Sequence, residues 1–204
     1  VFPSNFKFGN EAVKGPTYDV DAAKQLLEEA RWKDTNNDGF VDKGGKNLTI
    51  RWLTYPGRQE LPLLAESVQA TLKEIGIDVK VNSTENHRDF LESGNWDIYA
   101  SAFVTAPTGD PEYFFTTHSL KSSAKNRGGY YNEELEKQAG ELRNEFNKDK
   151  RSDLAVQMQQ IILDDVSFIF ASHLQMSFVM KSNITGFEAH PSDYYEITAN
   201  LEIQ

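Results

Sequence analysis

The chain has 204 residues and a formal net charge of -10, with 21 lysines and arginines against 31 aspartates and glutamates. An acidic chain repels the phosphate backbone that supplies most nonspecific nucleic-acid affinity, so DNA and RNA binding are disfavoured. Cysteine is absent, which excludes thiol nucleophiles, iron–sulfur clusters and cysteine-based zinc sites. No apolar run approaches the ~20 residues of a membrane-spanning helix, and the N-terminal VFPSNFKFGN lacks the pattern of a signal peptide.

The first half of the chain alternates helical and strand patterns after an irregular lead-in. The lead-in ends near Pro16 and contains two prolines and two glycines. Apolar residues then recur at helical spacing up to Trp32, with Asp19 or Asp21 as the N-cap. Because a strand–helix–strand order favours a parallel pair, the pattern predicts an α/β fold. We predict strands at 48–54, 77–81 and 96–103 and helices at 59–75 and 85–92.

The second half begins with a long polar segment without apolar periodicity, which is expected to be a large loop containing a short helix. Two strong helical patterns follow, Glu133–Phe146 capped by Asn132 and Asp149–Leu163 capped by Asp149. The β-rich stretches SFIFASH and QMSFVMK predict two strands separated by a tight turn. Alternation from Tyr194 to Ile203 indicates a last strand. No internal repeat is present.

A polar motif after the first helix resembles a calcium-binding loop. In DTNNDGFVD, oxygen-bearing side chains occupy the loop positions that ligate calcium in an EF-hand, and Gly39 permits the sharp bend. The twelfth position, which requires a bidentate glutamate, is Gly45, and a strand pattern follows where the second helix belongs. Two interpretations stay open, a polar turn and a weak calcium site. The ligands of that site would be Asp34, Asn36, Asp38 and Asp42.

Catalytic patterns are scarce. The sequence has no G-x-S-x-G elbow, no close histidine pair, and four histidines scattered without an adjacent carboxylate. The acidic pairs Asp164–Asp165 and Glu133–Glu134 are typical of solvated helix faces. His118 lies in the polar loop, either as a surface histidine or as an imidazole that reaches a bound metal complex. Enzyme activity is therefore the lesser hypothesis.

The polar loop from Thr105 to Asn132 is the better candidate for a functional site. It concentrates positive charge on an acidic chain, together with two glycines and three tyrosines. Such a combination suits the binding of a small ligand that carries a carboxylate. The guanidinium of Arg127 would contact this carboxylate at two points. The alternative is a solvated loop whose tyrosines pack on the core. The residues concerned are Lys121, Lys125, Arg127, Gly128, Gly129, Tyr113, Tyr130 and Tyr131.

Three long segments occur in an order that resembles a known family. They are YDVDAAKQLLEEARWKDTNNDGFVDKGGKNLTI, WDIYASAFVTAPTGDPEYFF and NRGGYYNEELEKQAGELRNEFNKDKRSDLAVQMQQIILDDVSFIF. Together they cover most of the chain, and they resemble the extracytoplasmic solute-binding proteins of ABC importers, in the peptide/nickel-binding group. The resemblance implies an α/β fold with a mixed sheet flanked by helices, the C-terminal lobe of a two-lobed clamp.

The resemblance also implies that the chain is part of a protein more than twice as long. Residues 1–185 would form the second, ligand-binding lobe, and residues 186–204 would be a tail returning toward the first lobe. The first lobe, with any signal or lipoprotein sequence, would lie upstream. Half of the cleft would then be absent, and the isolated chain is expected to bind ligand weakly or not at all. Relatives carry the same D-x-N-x-D-G stretch as a connection, which favours the turn over a calcium site.

The ligand that the resemblance implies is a nickel or other metal chelate, or a small peptide. Peptide-binding relatives have an aspartate where this chain has Pro107, which shifts the expectation toward the metal-chelate branch. Metal in that branch is cargo held by small organic ligands, so no cofactor and no protein metal cage are expected. Asn132 and Asp110 have equally good roles as helix caps. The expected ligand-binding residues are Arg127, Tyr113, His118, Tyr130, Asn132, Thr105 and Asp110.

The leading hypothesis is therefore a non-enzymatic solute receptor that hands its cargo to a membrane permease by lobe closure. Its expected location is extracytoplasmic, in the periplasm or as a cell-surface lipoprotein. Its partners would be a small-molecule ligand, an ABC permease and the first lobe of the same protein, with no nucleic acid. The two alternatives are an α/β enzyme of unknown reaction and a calcium-binding interaction module.

Overall fold

A computed structural model of the chain describes residues 1–175, 177–189 and 197–204. The chain divides into two compact units, which we call the sheet unit (Thr17–Phe103) and the helical unit (Val1–Pro16 with Val104–Gln204). Both parallel and antiparallel strand pairs occur beside helices, so the predicted α/β class is confirmed. Among the described residues, no helix has the length and apolar character needed to cross a membrane.

The sheet unit is organised around a parallel sheet of three strands. Its elements are α1 (Val20–Glu29), β1 (Asp42–Lys43), β2 (Lys46–Asn47), β3 (Thr49–Thr54), α2 (Glu60–Lys73), β4 (Asp78–Ser83), α3 (His87–Ser93) and β5 (Ile98–Tyr99). Strand β3 lies between β4 and β5 and pairs with both in parallel. The parallel β3–β4 pair confirms what the strand–helix–strand order predicts. Strands β1 and β2 form a separate antiparallel hairpin.

Caps and glycines set the ends of these elements. The Asp19 carboxylate accepts a hydrogen bond of 2.9 Å from the backbone N–H of Ala22, which confirms Asp19 as the N-cap of α1. After α2, Gly76 has φ +79°, and a Cβ there would approach Val41 to 3.1 Å, so glycine is required. The predicted eight-residue third strand is shorter, because only Ile98 and Tyr99 belong to β5.

In the residues described for the helical unit, four helical segments follow a short first turn. Its elements are a 3₁₀ turn (Asn10–Ala12), α4 (Glu112–Phe114), a π-helical turn (Phe115–Ser119), α5 (Glu133–Asn144), α6 (Lys148–Asp164), β6 (Ile184–Thr185) and β7 (Glu202–Ile203). Asn132 caps α5 by accepting a 3.0 Å hydrogen bond from the N–H of Leu135, as predicted. Helix α6 begins earlier than predicted, because Asn147, not Asp149, accepts hydrogen bonds from the first N–H groups.

The predicted pair of strands at 167–173 and 175–181 is wrong for the residues that the structure describes there. None of them belongs to a strand. A β-rich composition predicts a strand only if another strand supplies hydrogen bonds, and the described part of this segment has no such pairing. For the predicted tail strand, residues 194–196 lie outside the described residues, and Glu202–Ile203 pairs antiparallel with β6.

The irregular lead-in is part of the core of the helical unit. Phe2 is fully buried, and its ring centroid lies 4.8 Å from that of Phe8 and 6.0 Å from that of Phe115. The buried amide of Gln159 on α6 donates a 2.8 Å hydrogen bond to the carbonyl of Phe8 and accepts one from the N–H of Phe2. The lead-in is thus held by burial and buried hydrogen bonds, although it has little regular structure.

A histidine belongs to the same core. His118 is 2% exposed and its ring stacks on Phe114 with 5.4 Å between centroids, so the expectation of a surface histidine is wrong. Burial, with a smaller contribution from the charge of Lys125, lowers the pKa of His118 to about 4.

We expect Phe2→Ala to lower the free energy of unfolding of the chain by about 3–5 kcal/mol, because it empties a site enclosed by aromatic rings. Urea denaturation measures the change. Phe146→Ala is the matched control, since that ring is 88% exposed, and should change stability by less than about 0.5 kcal/mol. Equal effects of the two substitutions would contradict a core role for the lead-in.

The buried histidine predicts a loss of stability in acid. The unfolded chain binds a proton at His118 below about pH 6.5, whereas the folded chain does not until about pH 4, so stability falls as the pH drops between those values. The contribution of this group reaches about 3 kcal/mol. His118→Gln should therefore lose less stability than the original chain between pH 7 and 4.5 in urea denaturation. The difference between the two proteins should be constant from pH 7 to 8, and a constant difference at all pH values would contradict the prediction.

Candidate ligand-binding site

The candidate loop, Thr105–Asn132, lies wholly in the helical unit and is folded around a buried turn. Phe114 and Phe115 are fully buried and fix its middle to the core. The Ser123 hydroxyl donates to the carbonyl of Thr116 at 2.8 Å and accepts from the N–H of Leu120 at 3.0 Å. The loop therefore has internal hydrogen bonds as well as a hydrophobic attachment.

An arginine outside the loop holds its first part. Asp110 accepts from the N–H of Glu112, the first residue of α4, at 2.9 Å, and its carboxylate receives a two-point contact from Arg151 at 2.7 and 3.0 Å. Arg151 is only 14% exposed at its side chain and also donates to the carbonyls of Leu142 and Glu145 at the end of α5. Asp110 is thus engaged in structural contacts.

An aspartate outside the loop holds its last part. One carboxylate oxygen of Asp165 accepts from the Tyr130 hydroxyl at 2.7 Å and from the Asn132 side-chain amide at 2.8 Å. The Tyr130 ring also packs edge-on against Phe168, with 6.3 Å between centroids. Burial, followed by the hydrogen bond to Asp165, raises the pKa of Tyr130. Tyr130 therefore stays protonated and donates to the carboxylate.

The remaining predicted residues are on the loop surface or near it. Arg127 is exposed, and in the described part of the chain its guanidinium forms no ion pair. Gly129, two residues later, has φ +65°, which only glycine adopts readily. Tyr113 is 37% exposed, and Thr105 is half-buried. The structure thus presents Arg127 and Tyr113 to solvent and encloses His118.

The predicted positive cluster is divided among different contacts. The ammonium of Lys121 lies 5.4 Å from the centroid of the Tyr131 ring, a cation–π distance, and its backbone N–H donates to Glu136. Lys125 donates its backbone N–H to Thr117. In the described residues, neither the Lys125 ammonium nor the Arg127 guanidinium forms an ion pair, and of the two only the guanidinium can contact a carboxylate at two points.

The calcium-like motif forms a hydrogen-bonded turn in the sheet unit. The Asp34 carboxylate accepts from the N–H of Gly39 at 2.9 Å, and that of Asp38 accepts from the side-chain amides of Asn36 and Asn47. These hydrogen bonds, first the one from Asn47, lower the pKa of Asp38. Asp42 is 3% exposed and accepts from Thr35 through both the N–H and the hydroxyl.

The carboxylates of this motif therefore satisfy the backbone of a tight turn. In the ranges that the structure describes, no group of three or more histidine and carboxylate side chains is arranged to hold a metal ion. The arrangement fits the polar-turn interpretation of Asp34, Asn36, Asp38 and Asp42.

Sequence reasoning missed Arg151 and set Asp165 aside as part of a solvated face. One signal was available for both residues. Arg151 lies in the first turn of α6 and Asp165 at its C-cap, and each has the sign of charge that the helix dipole disfavours at that end. Lys148 and Lys150 share this end of α6, so the signal indicates that some charge there has another partner and does not identify which one. The partners of Arg151 and Asp165 include residues of the candidate loop.

Comparison with known proteins places the chain among binding proteins. The profile of the family "Bacterial extracellular solute-binding proteins, family 5 Middle" matches residues 1–126. The oligopeptide-binding protein AppA of Bacillus subtilis is 31% identical over 88% of this chain and 34% of that protein. The nickel-binding protein NikA of Staphylococcus aureus is 25% identical over 89% of this chain and 36% of that protein. The chain thus spans about a third of the length of these relatives.

The fold agrees with the sequence comparison. The crystal structure of AppA from Bacillus subtilis in complex with a nonapeptide superposes with a TM-score of 0.76 and 26% identity, covering 99% of this chain and 41% of that one. The order of segments and the profile match therefore lead to the same assignment. The chain belongs to the bacterial extracellular solute-binding proteins of family 5.

Proposed function

We propose that this chain is the ligand-binding lobe of the solute receptor of an ABC importer. The observation that carries the proposal is the family 5 profile match over residues 1–126, joined to a fold that superposes on nearly the whole chain. Residues 1–185 form the lobe and residues 186–204 a tail that returns toward a first lobe contributed by the rest of the protein. The receptor works outside the cytoplasm, as the family description "extracellular" supports.

The ligand is a small molecule that carries a carboxylate. AppA is named for oligopeptides and NikA for nickel, and both a peptide terminus and an organic nickel chelate present carboxylates. Arg127 supports this proposal. Its guanidinium is exposed and forms no ion pair with a carboxylate of the described residues, so it can donate two hydrogen bonds to a ligand carboxylate. Pro107 favours the chelate, because the family resemblance implies an aspartate at this position for peptide binding. Nickel is then cargo and not a resident cofactor.

The candidate residues have two kinds of role in this proposal. Arg127 contacts the carboxylate, and the exposed Tyr113 and half-buried Thr105 are further candidate contacts on the same loop. The other four residues support the loop from beneath or at its ends. They are His118, Asp110, Tyr130 and Asn132.

The proposed mechanism is capture without chemistry. Ligand contacts made by both lobes stabilise a closed form, and the closed form delivers the cargo to the membrane permease. A ligand shifts this equilibrium only by its difference in affinity for the two forms, so each contact from this lobe contributes when the lobes close. No bond is made or broken, and the relatives found are binding proteins rather than enzymes.

We expect Arg127→Met to weaken ligand binding by about 10-fold or more, because a hydrogen bond to a charged group contributes roughly 1.5–3 kcal/mol. Binding is measured on the complete polypeptide by calorimetry and native mass spectrometry. Arg127→Lys should lose less affinity than Arg127→Met, since lysine keeps the positive charge but not the two-point contact of the guanidinium. Arg143→Met is the control, because Arg143 is an exposed arginine on α5 whose partner is Glu112.

Three probes separate the ligand classes: Ni²⁺ alone, Ni²⁺ with two equivalents of L-histidine, and a pool of mixed nonapeptides. Binding of the histidine complex but not of the free ion would support the chelate, and binding of the pool alone would support peptides. If the original protein binds neither carboxylate-bearing probe, the proposed function fails. If Arg127→Met and Arg143→Met have equal effects, the assignment of Arg127 fails while the receptor function stands.

A further inference from the structure

The helix α6 carries a charge of the disfavoured sign at each end. Its N-terminal end has partial positive charge and holds Arg151 in the first turn, whereas its C-terminal end has partial negative charge and is followed by Asp165. A charge of this sign at a helix end is destabilising unless another group offsets it. The structure shows interactions at both ends that offset this cost, and both sets lead to the candidate loop.

At the first end, Arg151 joins three parts of the helical unit. Its guanidinium contacts both carboxylate oxygens of Asp110, lies 3.3 Å from the Glu112 carboxylate, and donates to two carbonyls at the end of α5. The low exposure of this side chain strengthens its charge-assisted hydrogen bonds, because water competes less for the donors. The start of the loop is therefore fixed to the α5–α6 corner.

At the second end, Asp165 receives hydrogen bonds from Tyr130 and Asn132, the last residues of the loop. The next residue, Val166, has φ +51°, a left-handed conformation that a β-branched residue adopts only under strain. This strained residue directly follows Asp165, whose carboxylate binds the last part of the loop. The strain and the two hydrogen bonds are independent observations, and they occur at adjacent residues.

The two attachment points are separated by the length of α6. Fourteen residues at about 1.5 Å each place them roughly 21 Å apart along a single rigid element. The exposed segment with Arg127 and Gly129 lies in sequence between Asp110 and Tyr130, the loop residues bound at these two points. A loop held at both ends by one helix has few conformations available to it, so its binding groups are ordered before the ligand arrives.

We propose that Arg151 and Asp165 are positioning residues that hold the candidate loop in its ligand-binding shape without contacting the ligand. This inference rests on the proposed function, since it assigns the loop a ligand to bind. It predicts a kinetic signature. Loosening the loop reduces the fraction of receptor that is competent to bind, which lowers the association rate, whereas removal of a ligand contact raises the dissociation rate.

The test uses two variants with matched controls in the complete polypeptide. Arg151→Met is compared with Arg143→Met, which removes an exposed arginine that also neighbours Glu112. Asp165→Ala is compared with Asp164→Ala, which removes the adjacent carboxylate, whose hydrogen bond comes from Gln160. Asp165 is exposed, so its variant should fold even if Arg151→Met does not.

The first measurement is hydrogen exchange without ligand. The amides of Ser123, Lys125 and Tyr130 are hydrogen-bonded within the loop, and we expect them to exchange about 10-fold faster in Arg151→Met and Asp165→Ala than in the controls. Amides in the middle of α5 should be unchanged. Unchanged loop exchange, or equal acceleration in α5 and the loop, would overturn the inference.

The second measurement is the binding rate of nickel with two equivalents of L-histidine and of the nonapeptide pool. We expect an association rate about 5–10-fold lower in both variants, with dissociation rates within about twofold of the original protein. A raised dissociation rate with an unchanged association rate would overturn the inference, because it indicates direct contact. If the original protein binds neither probe, the proposed function fails, and the exchange experiment alone then decides whether these residues hold the loop.

Discussion

Burial of one face of α6 is the interaction on which the helical unit depends. Residues three and four apart on a helix share a face, and the buried residues of α6 follow that spacing. This face packs in the same cluster as the aromatic residues of the lead-in and of the candidate loop. The same face of α6 therefore packs against both the lead-in and the candidate loop. The buried residues of α6 are Ser152, Ala155, Met158, Gln159 and Ile162.

Burial of this face explains why α6 forms a long regular helix although many of its residues are polar. Helix α6 carries six charged residues between Lys148 and Asp164, yet its buried face includes only small or apolar side chains and two polar ones that are hydrogen-bonded. The Gln159 amide illustrates the requirement, since a buried amide costs free energy unless its donors and acceptor are satisfied. Its partners are backbone groups of the lead-in, so the same amide specifies where the lead-in lies.

The sequence was sufficient for elements whose cause is local. Helix α5 was predicted with its cap and α1 with two candidate caps, Asp19 and Asp21, because an Asp or Asn before an apolar helical repeat can accept from the N–H groups of the first turn. The parallel β3–β4 pair also follows from local order. The α6 cap was misplaced by two residues, since Asn147 and Asp149 are both good caps and only the backbone geometry distinguishes them.

Features that depend on distant partners were not predictable in this way. The β-rich pattern at 167–181 has no strand pairing in its described residues, and the burial of His118 depends on a core that residues from the lead-in and from α6 complete. For the candidate site, the sequence indicated the residue types of the loop but not which of them face solvent. Arg151 and Asp165 contact residues 33 to 41 positions away, a separation that a single sequence does not encode.

The arrangement of the loop has a consequence for how ligand preference changes in such a protein. Groups that hold the loop, such as Asp110 and Tyr130, have their hydrogen bonds committed to Arg151 and Asp165, whereas Arg127 stands between them on an exposed segment. A substitution among the exposed residues alters contacts without removing an attachment, and surface changes of that kind usually cost less than about 0.5 kcal/mol. A substitution at an attachment point affects every ligand alike, because it changes the order of the whole loop. Under the proposed function, separation of the groups that hold the loop from the group that contacts ligand permits one frame to serve different ligands, and the relatives of this chain are named for cargoes as different as oligopeptides and nickel.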